Sequence, residues 1–149
     1  MQAQVFKASM MLILIFASCN ERDIAMEVSR RSSDLMNCTK VFGYSVKKLE
    51  EENEILIQTG KYYASGGGED RQAAIIKVNG VDHVLYLLTE KAISGEETEV
   101  YDGDGYSLSL RYQQKERGNS IYYDGHCRIR KGIIISEYKI EGQPNFYNY

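Results

Sequence analysis

The sequence predicts an all-β fold: a single antiparallel meander of about seven to eight strands, closed as a barrel or folded as a sandwich, after an N-terminal signal and tether. Three observations predict it. From Ile55 onward, apolar side chains recur at every second residue over several segments, the period of a strand with one face on a core. Turn-forming stretches (SGGGED, NG, SGEE, DGDG, KERGNS and KG) interrupt that pattern at regular spacing. No segment after residue 54 carries a helical period, and the single proline, Pro144, lies in the tail.

The chain begins with one charge, Lys7, then an unbroken apolar run from Met10 to Phe16, then Ala17, Ser18 and Cys19. Charge, apolar core and small residues in that order are the layout of a secretory signal. The run is too short to span a bilayer, which takes about 20 residues. Ala17-Ser18-Cys19 resembles the lipobox of bacterial lipoproteins, in which the cysteine is diacylated and becomes the first residue after cleavage. Phe16 stands where that family usually carries Leu, Val or Ile. The resemblance implies lipid attachment at Cys19 and a place in the cell envelope. Asn20 stands where aspartate retains enterobacterial lipoproteins in the inner membrane, which points to the outer membrane. The expected divisions are a signal over 1–18, a lipid-anchored tether over 19–37, a β domain over 38–143 and a tail over 144–149.

The chain has 149 residues, and loss of 1–18 leaves 131, enough for one domain with a sizeable core. It then carries 17 basic and 21 acidic side chains, a net charge of −4 with the signs interspersed. That balance argues against nucleic acid as a partner, and there is no polybasic patch for anionic lipid. With Cys19 assigned to lipid, Cys38 and Cys127 remain. An even pair in an oxidising compartment is a candidate disulfide, with two separate buried thiols as the alternative.

Residues 20–37 are polar, with scattered apolar positions and no clear period, and read as the tether; a short helix through Ile24 and Val28 is the other reading. Residues 39–53 suit either a strand alternating through Tyr44, Val46 and Lys48 or a short helix over KKLEEEN, with Lys48 and Glu52 four apart. A strand follows from Ile55, ended or bulged at Gly60. Residues 73–88 form the clearest hairpin. Asn79-Gly80 is a type I′ signal because both residues tolerate positive φ, and a two-residue loop sets Val78 opposite Val81, Lys77 opposite Asp82, Ile76 opposite His83 and Ile75 opposite Val84. Glu99 to Tyr101 makes a short strand, and Tyr106, Leu108, Leu110 and Tyr112 line one face of the next. A second hairpin joins 121–130 to 133–140 through Lys131-Gly132. That turn would place Ile129 opposite Ile134, Cys127 opposite Ser136, Gly125 opposite Tyr138 and His126 opposite Glu137.

Side chains that carry chemistry are sparse. His126 and Cys127 are neighbours on a strand and point to opposite faces, so they are not a dyad. His83 reads as a partly buried structural residue. The Ser65–Asp70 loop lacks the lysine and helix of a phosphate-binding loop and ends in two acids, so a wide strand connection is the plain reading. Asp102-Gly103-Asp104-Gly105 lacks the further ligands of a calcium loop and reads as a hairpin turn. Exposed tyrosines, with Tyr122, Tyr147 and Tyr149 the candidates among twelve, suit a recognition surface. No catalytic residue, metal site or cofactor is expected.

These readings predict a non-enzymatic, lipid-anchored β-domain of the periplasm or cell surface, bound to the membrane by its lipid and to a protein or cell-wall partner by its surface. The mature domain resembles small all-β lipoproteins, lysozyme-inhibitor lipoproteins among them, in size, anchor and cysteine use; Ser65-Gly66 and Lys131-Gly132 echo that family's Ser-Gly and Lys-Gly elements. The likeness is one of architecture and transfers no residue. An effector-immunity protein is a further alternative with the same location.

Overall fold

The Asn79-Gly80 turn has positive φ at both residues, 51° and 75°. It joins β4 (Arg71–Val78) to β5 (Val81–Ile93) in the predicted register, with Val78 opposite Val81, Lys77 opposite Asp82 and Ile75 opposite Val84. Ser94-Gly95 and Asp104-Gly105 repeat that turn geometry. They carry the chain into β6 (Glu96–Gly103) and then β7 (Tyr106–Arg117). Two more hairpins add β8 (Ser120–Lys131) and β9 (Ile134–Pro144). Earlier in the chain lie β1 (Met26–Glu27), β2 (Leu35–Gly43), helix α1 (Val46–Glu51) and β3 (Ile57–Tyr62). This computed structural model describes residues 23–30, 35–63 and 68–145.

Strands β2 to β9 pair in sequence order, β4 with β5 included, and β9 returns to pair with β2. The meander is therefore a closed antiparallel barrel of eight strands with β1 added. Eight strands enclose a space that side chains can just fill. Phe42, Leu56, Ile57, Ile76, Leu85, Tyr101, Leu108, Leu110, Tyr112, Ile129 and Ile140 fill it. Each such burial contributes roughly 1.5–3 kcal/mol against exposure.

Residues expected to lie in a tether are part of this core. Ile24 and Met26 are buried in it, and Met26 and Glu27 pair with Val78 and Lys77 of β4. Strand β3 starts opposite Ile76, so the last two residues of β4 have no β3 partner. β1 takes that place. Ile24 N–H donates to Ser136 Oγ at 2.8 Å, and the Tyr138 hydroxyl accepts from Met26 N–H and donates to the Ile24 carbonyl. The segment thus crosses the barrel end marked by the turns at 79–80, 104–105 and 132–133, and closes it. β2 also begins before the expected boundary, at Leu35.

The β8–β9 register corrects the expected one. Lys131 pairs with Ile134, so the turn is Gly132-Ile133 rather than Lys131-Gly132. Gly132 has φ 61° and Ile133 has no positive φ, the pattern of a type II′ turn, which needs positive φ only at its first central residue. A Lys131-Gly132 turn would have forced lysine into the left-handed region. Cys127 consequently faces Tyr138, Ile129 faces Ser136, His126 faces Lys139, and Gly125 faces Ile140. The slip preserves parity, so each side chain keeps its expected face. On the outside it brings Arg128 to Glu137, Nε to Oε1 at 2.9 Å.

The ambiguous stretch resolves as strand to Gly43 and then helix. Ser45 caps α1, its Oγ accepting from Lys48 N–H at 3.1 Å. Lys48 reaches Glu54 at 3.7 Å rather than Glu52. Leu49 of the helix packs with Val41 and Ile55 in a small cluster, and Cys38 packs against it. The strand expected from Ile55 starts at Ile57, and Gly60 does not end it. The irregularity falls on the partner: β2 has one extra residue between Cys38 and Lys40, opposite Gly60 and Thr59.

Candidate functional site

The bulge at Thr39 decides the chemistry of the barrel interior. It turns Lys40 inward beside Phe42 and leaves Cys38 with the cluster under α1. Cys127 lies in the barrel core, so Cys38 and Cys127 are on opposite sides of the wall and are not disulfide-linked. The expected pair is corrected on that ground. Burial pushes the Cys127 thiol up to about 12, which keeps it protonated and inert at neutral pH.

Lys40 meets Glu99, which β6 also aims inward. The Lys40 ammonium donates to Glu99 Oε1 at 3.0 Å and to the Tyr112 hydroxyl at 2.8 Å. Glu99 further accepts from the Tyr101 hydroxyl at 2.9 Å and from the Tyr112 hydroxyl at 2.6 Å. The carboxylate side chain is 5% exposed and the lysine 19%. Four elements supply this network: β2 gives Lys40, β6 gives Glu99 and Tyr101, β7 gives Tyr112, and β8 adds Tyr123. The Tyr123 ring lies 5.0 Å from that of Tyr112 and 5.9 Å from that of Phe42. Thr59, buried on the inward face of β3, lies beside Lys40.

Desolvation raises the Tyr101, Tyr112 and Tyr123 phenols above their ordinary value; Glu97 adds to the rise at Tyr112 and Tyr123, and the negative charge of Glu99 adds to it in all three. All three stay protonated at neutral pH. They serve Glu99 as neutral donors or neighbours and do not exchange protons with a substrate in the range where general acid–base catalysis works. A buried ion pair is tolerated when its remaining hydrogen-bonding capacity is satisfied, and these phenols satisfy it. The arrangement can hold the barrel wall in one register and present a partly exposed ammonium at the end of the core away from β1.

The sequence pointed to none of Lys40, Glu99, Tyr101, Tyr112 and Tyr123 as a site. The usable signal was Glu99, two residues before Tyr101 and so on the same face of its strand. The residues singled out by sequence fall elsewhere. His83 Nδ1 lies 3.1 Å from Asp104 Oδ2 at the other end of the barrel, with its ring 4.8 Å from that of Tyr106. The Asp102–Gly105 stretch is a hairpin turn, as expected. His126 is exposed, back to back with buried Cys127. Tyr122 is half-buried, with the Arg117 guanidinium 5.4 Å from its ring centre. Cys19, Ser65–Gly67, Tyr147 and Tyr149 lie outside the described residues. Among the described residues no three His, Cys, Asp or Glu side chains are grouped to hold a metal ion, and no helix is long and apolar enough to cross a membrane.

No family model, curated protein or solved structure matches this chain.

Proposed function

We propose that the chain is a lipid-anchored protein of the cell envelope, attached through Cys19, that acts as a non-enzymatic binding module and offers the barrel end away from the anchor to a protein or cell-wall partner. The observation that carries this reading is the unlike construction of the two ends. Residues 24–27 enter the fold at one end. At the other, β7 and β8 run past their neighbours as a two-stranded ribbon. Gln114–Arg117 pair only with Ser120–Tyr123 there. The ribbon carries Arg117, Ile121 and Tyr122, and Ile93 is exposed on the adjacent hairpin. Tyr and Arg are residue types enriched in interfaces. A rigid barrel under such a ribbon limits the ordering cost of binding.

Photo-crosslinking in intact cells tests the reading. A benzoylphenylalanine at Tyr122 or Ile93 should trap one discrete partner, and the same probe at Val81 should not. Equal yields at all three positions, or none, would remove the distal ribbon as the binding surface. The trapped species decides among partner classes: a muramidase supports the inhibitor reading, and a toxin supports the immunity reading.

A further inference from the structure

We propose that the barrel end closed by residues 24–27 lies on the bilayer surface, with Ile133 inserted at the boundary between headgroups and acyl chains. The proposal rests on lipid attachment at Cys19. Ile24 is held to the barrel by Ser136 and Tyr138. Five residue steps separate it from Cys19, which reach at most about 17 Å in any conformation. A tether running to residue 37 would let the domain stand clear of the membrane. This one keeps the domain close, because the headgroup layer takes up about 5–8 Å of that reach and leaves at most about 12 Å beyond it.

The same end has an apolar rim. Ile133 sits at the second central position of the β8–β9 turn and is 98% exposed. Val81, the first residue after the Asn79-Gly80 turn, is 55% exposed, and Ile135 points outward two residues beyond Ile133. A hairpin tip in water ordinarily carries Asn, Asp, Ser or Gly, which suit its backbone and its solvation. An isoleucine there adds nothing to the fold: its side chain meets solvent on all sides. On a bilayer it would bury apolar area at a site the short connection already holds against the surface. The rim also carries Lys77 and Lys131 against Asp23, Glu27, Asp82 and Asp104, an excess of acid, so apolar insertion rather than charge attraction is the contact.

The chain has no tryptophan, so a single introduced indole reports its own surroundings. Full-length protein carrying I133W, and separately I93W at the opposite end, is processed in cells, purified and reconstituted into phosphatidylethanolamine–phosphatidylglycerol vesicles. Mass analysis first establishes whether Cys19 bears lipid. With lipid present, the I133W emission should shift to the blue and be quenched by acyl chains brominated near the headgroup, while I93W should emit as in water. Lipidated, vesicle-bound protein in which both reporters emit as in water, or both are quenched alike, overturns the orientation and leaves the anchor standing. Absence of lipid at Cys19 overturns the anchor, and the orientation with it. A blue shift of I133W that depends on protein concentration without vesicles shows a second copy on this rim and likewise overturns the proposal.

Discussion

The two ends of this barrel are closed by opposite chemistry. At one end a strand-length piece of the chain, Ile24–Glu27, lays apolar side chains into the core and takes up the bonds that β3 leaves open on β4. At the other, a buried carboxylate collects an ammonium and two phenols drawn from three strands. The first closure depends on area removed from water and tolerates any apolar side chain of similar volume. The second depends on matched donors and acceptors, and removing a single member exposes the rest to an uncompensated burial cost. The ends should therefore respond differently to pH and to truncation.

The largest expected effect is alkaline. The Tyr101, Tyr112 and Tyr123 phenols have folded pKa values above their unfolded ones. Their contribution is fully present below the unfolded value of about 10 and is lost as pH rises from there through the folded values, because the unfolded state gives up its protons first. Denaturant midpoints measured against pH should fall steeply above about 10, and Tyr112→Phe should make that slope shallower. A flat profile would mean that the polar end contributes nothing to pH-linked stability.

Next comes Glu99→Ala. It strands the Lys40 ammonium and two phenolic donors, and unfolding in urea should show a loss of about 3–5 kcal/mol. Met26→Ala, at the apolar end, should cost about 2–5 kcal/mol through lost burial and the cavity left behind. Hydrogen exchange sharpens the contrast: Met26→Ala should speed exchange at Val78 and Ser136 and leave Glu99 and Tyr112 protected. If both variants loosen both ends equally, the ends are one cooperative unit. The smallest effect is Ser136→Ala, which leaves the Ile24 N–H buried without its acceptor and should cost about 1–3 kcal/mol by the same denaturant measurement.

Much of the wall was legible in the sequence because hairpins are local. Asn79-Gly80 is compatible with one turn type, and the whole β4–β5 register followed from it. Lys131-Gly132 was not decisive, since glycine can serve as the second residue of one turn or the first of the next; only the backbone conformation at Gly132 separates them. Helix α1 was legible as one of two readings because the lysine–glutamate run is a local signal too. The closure at Ile24 and Met26 was not, since two apolar residues in a polar stretch have no period, and what holds them is the vacancy on β4, far along the chain. The polar network was hidden because a bulge sets which side of the wall Lys40 and Cys38 face, and a bulge has no reliable sequence mark.

By itself, then, the sequence determined the strand period, the turns and the alternation of faces, because those depend on neighbours one or two residues away. Tertiary structure alone decided that β9 closes on β2, that residues 24–27 belong to the domain, that Cys38 and Cys127 stand on opposite sides of the wall, and that Lys40, Glu99, Tyr101 and Tyr112 meet. Each of those outcomes depends on strands brought together from distant parts of the chain, where one extra residue in a ladder turns a side chain from solvent to core.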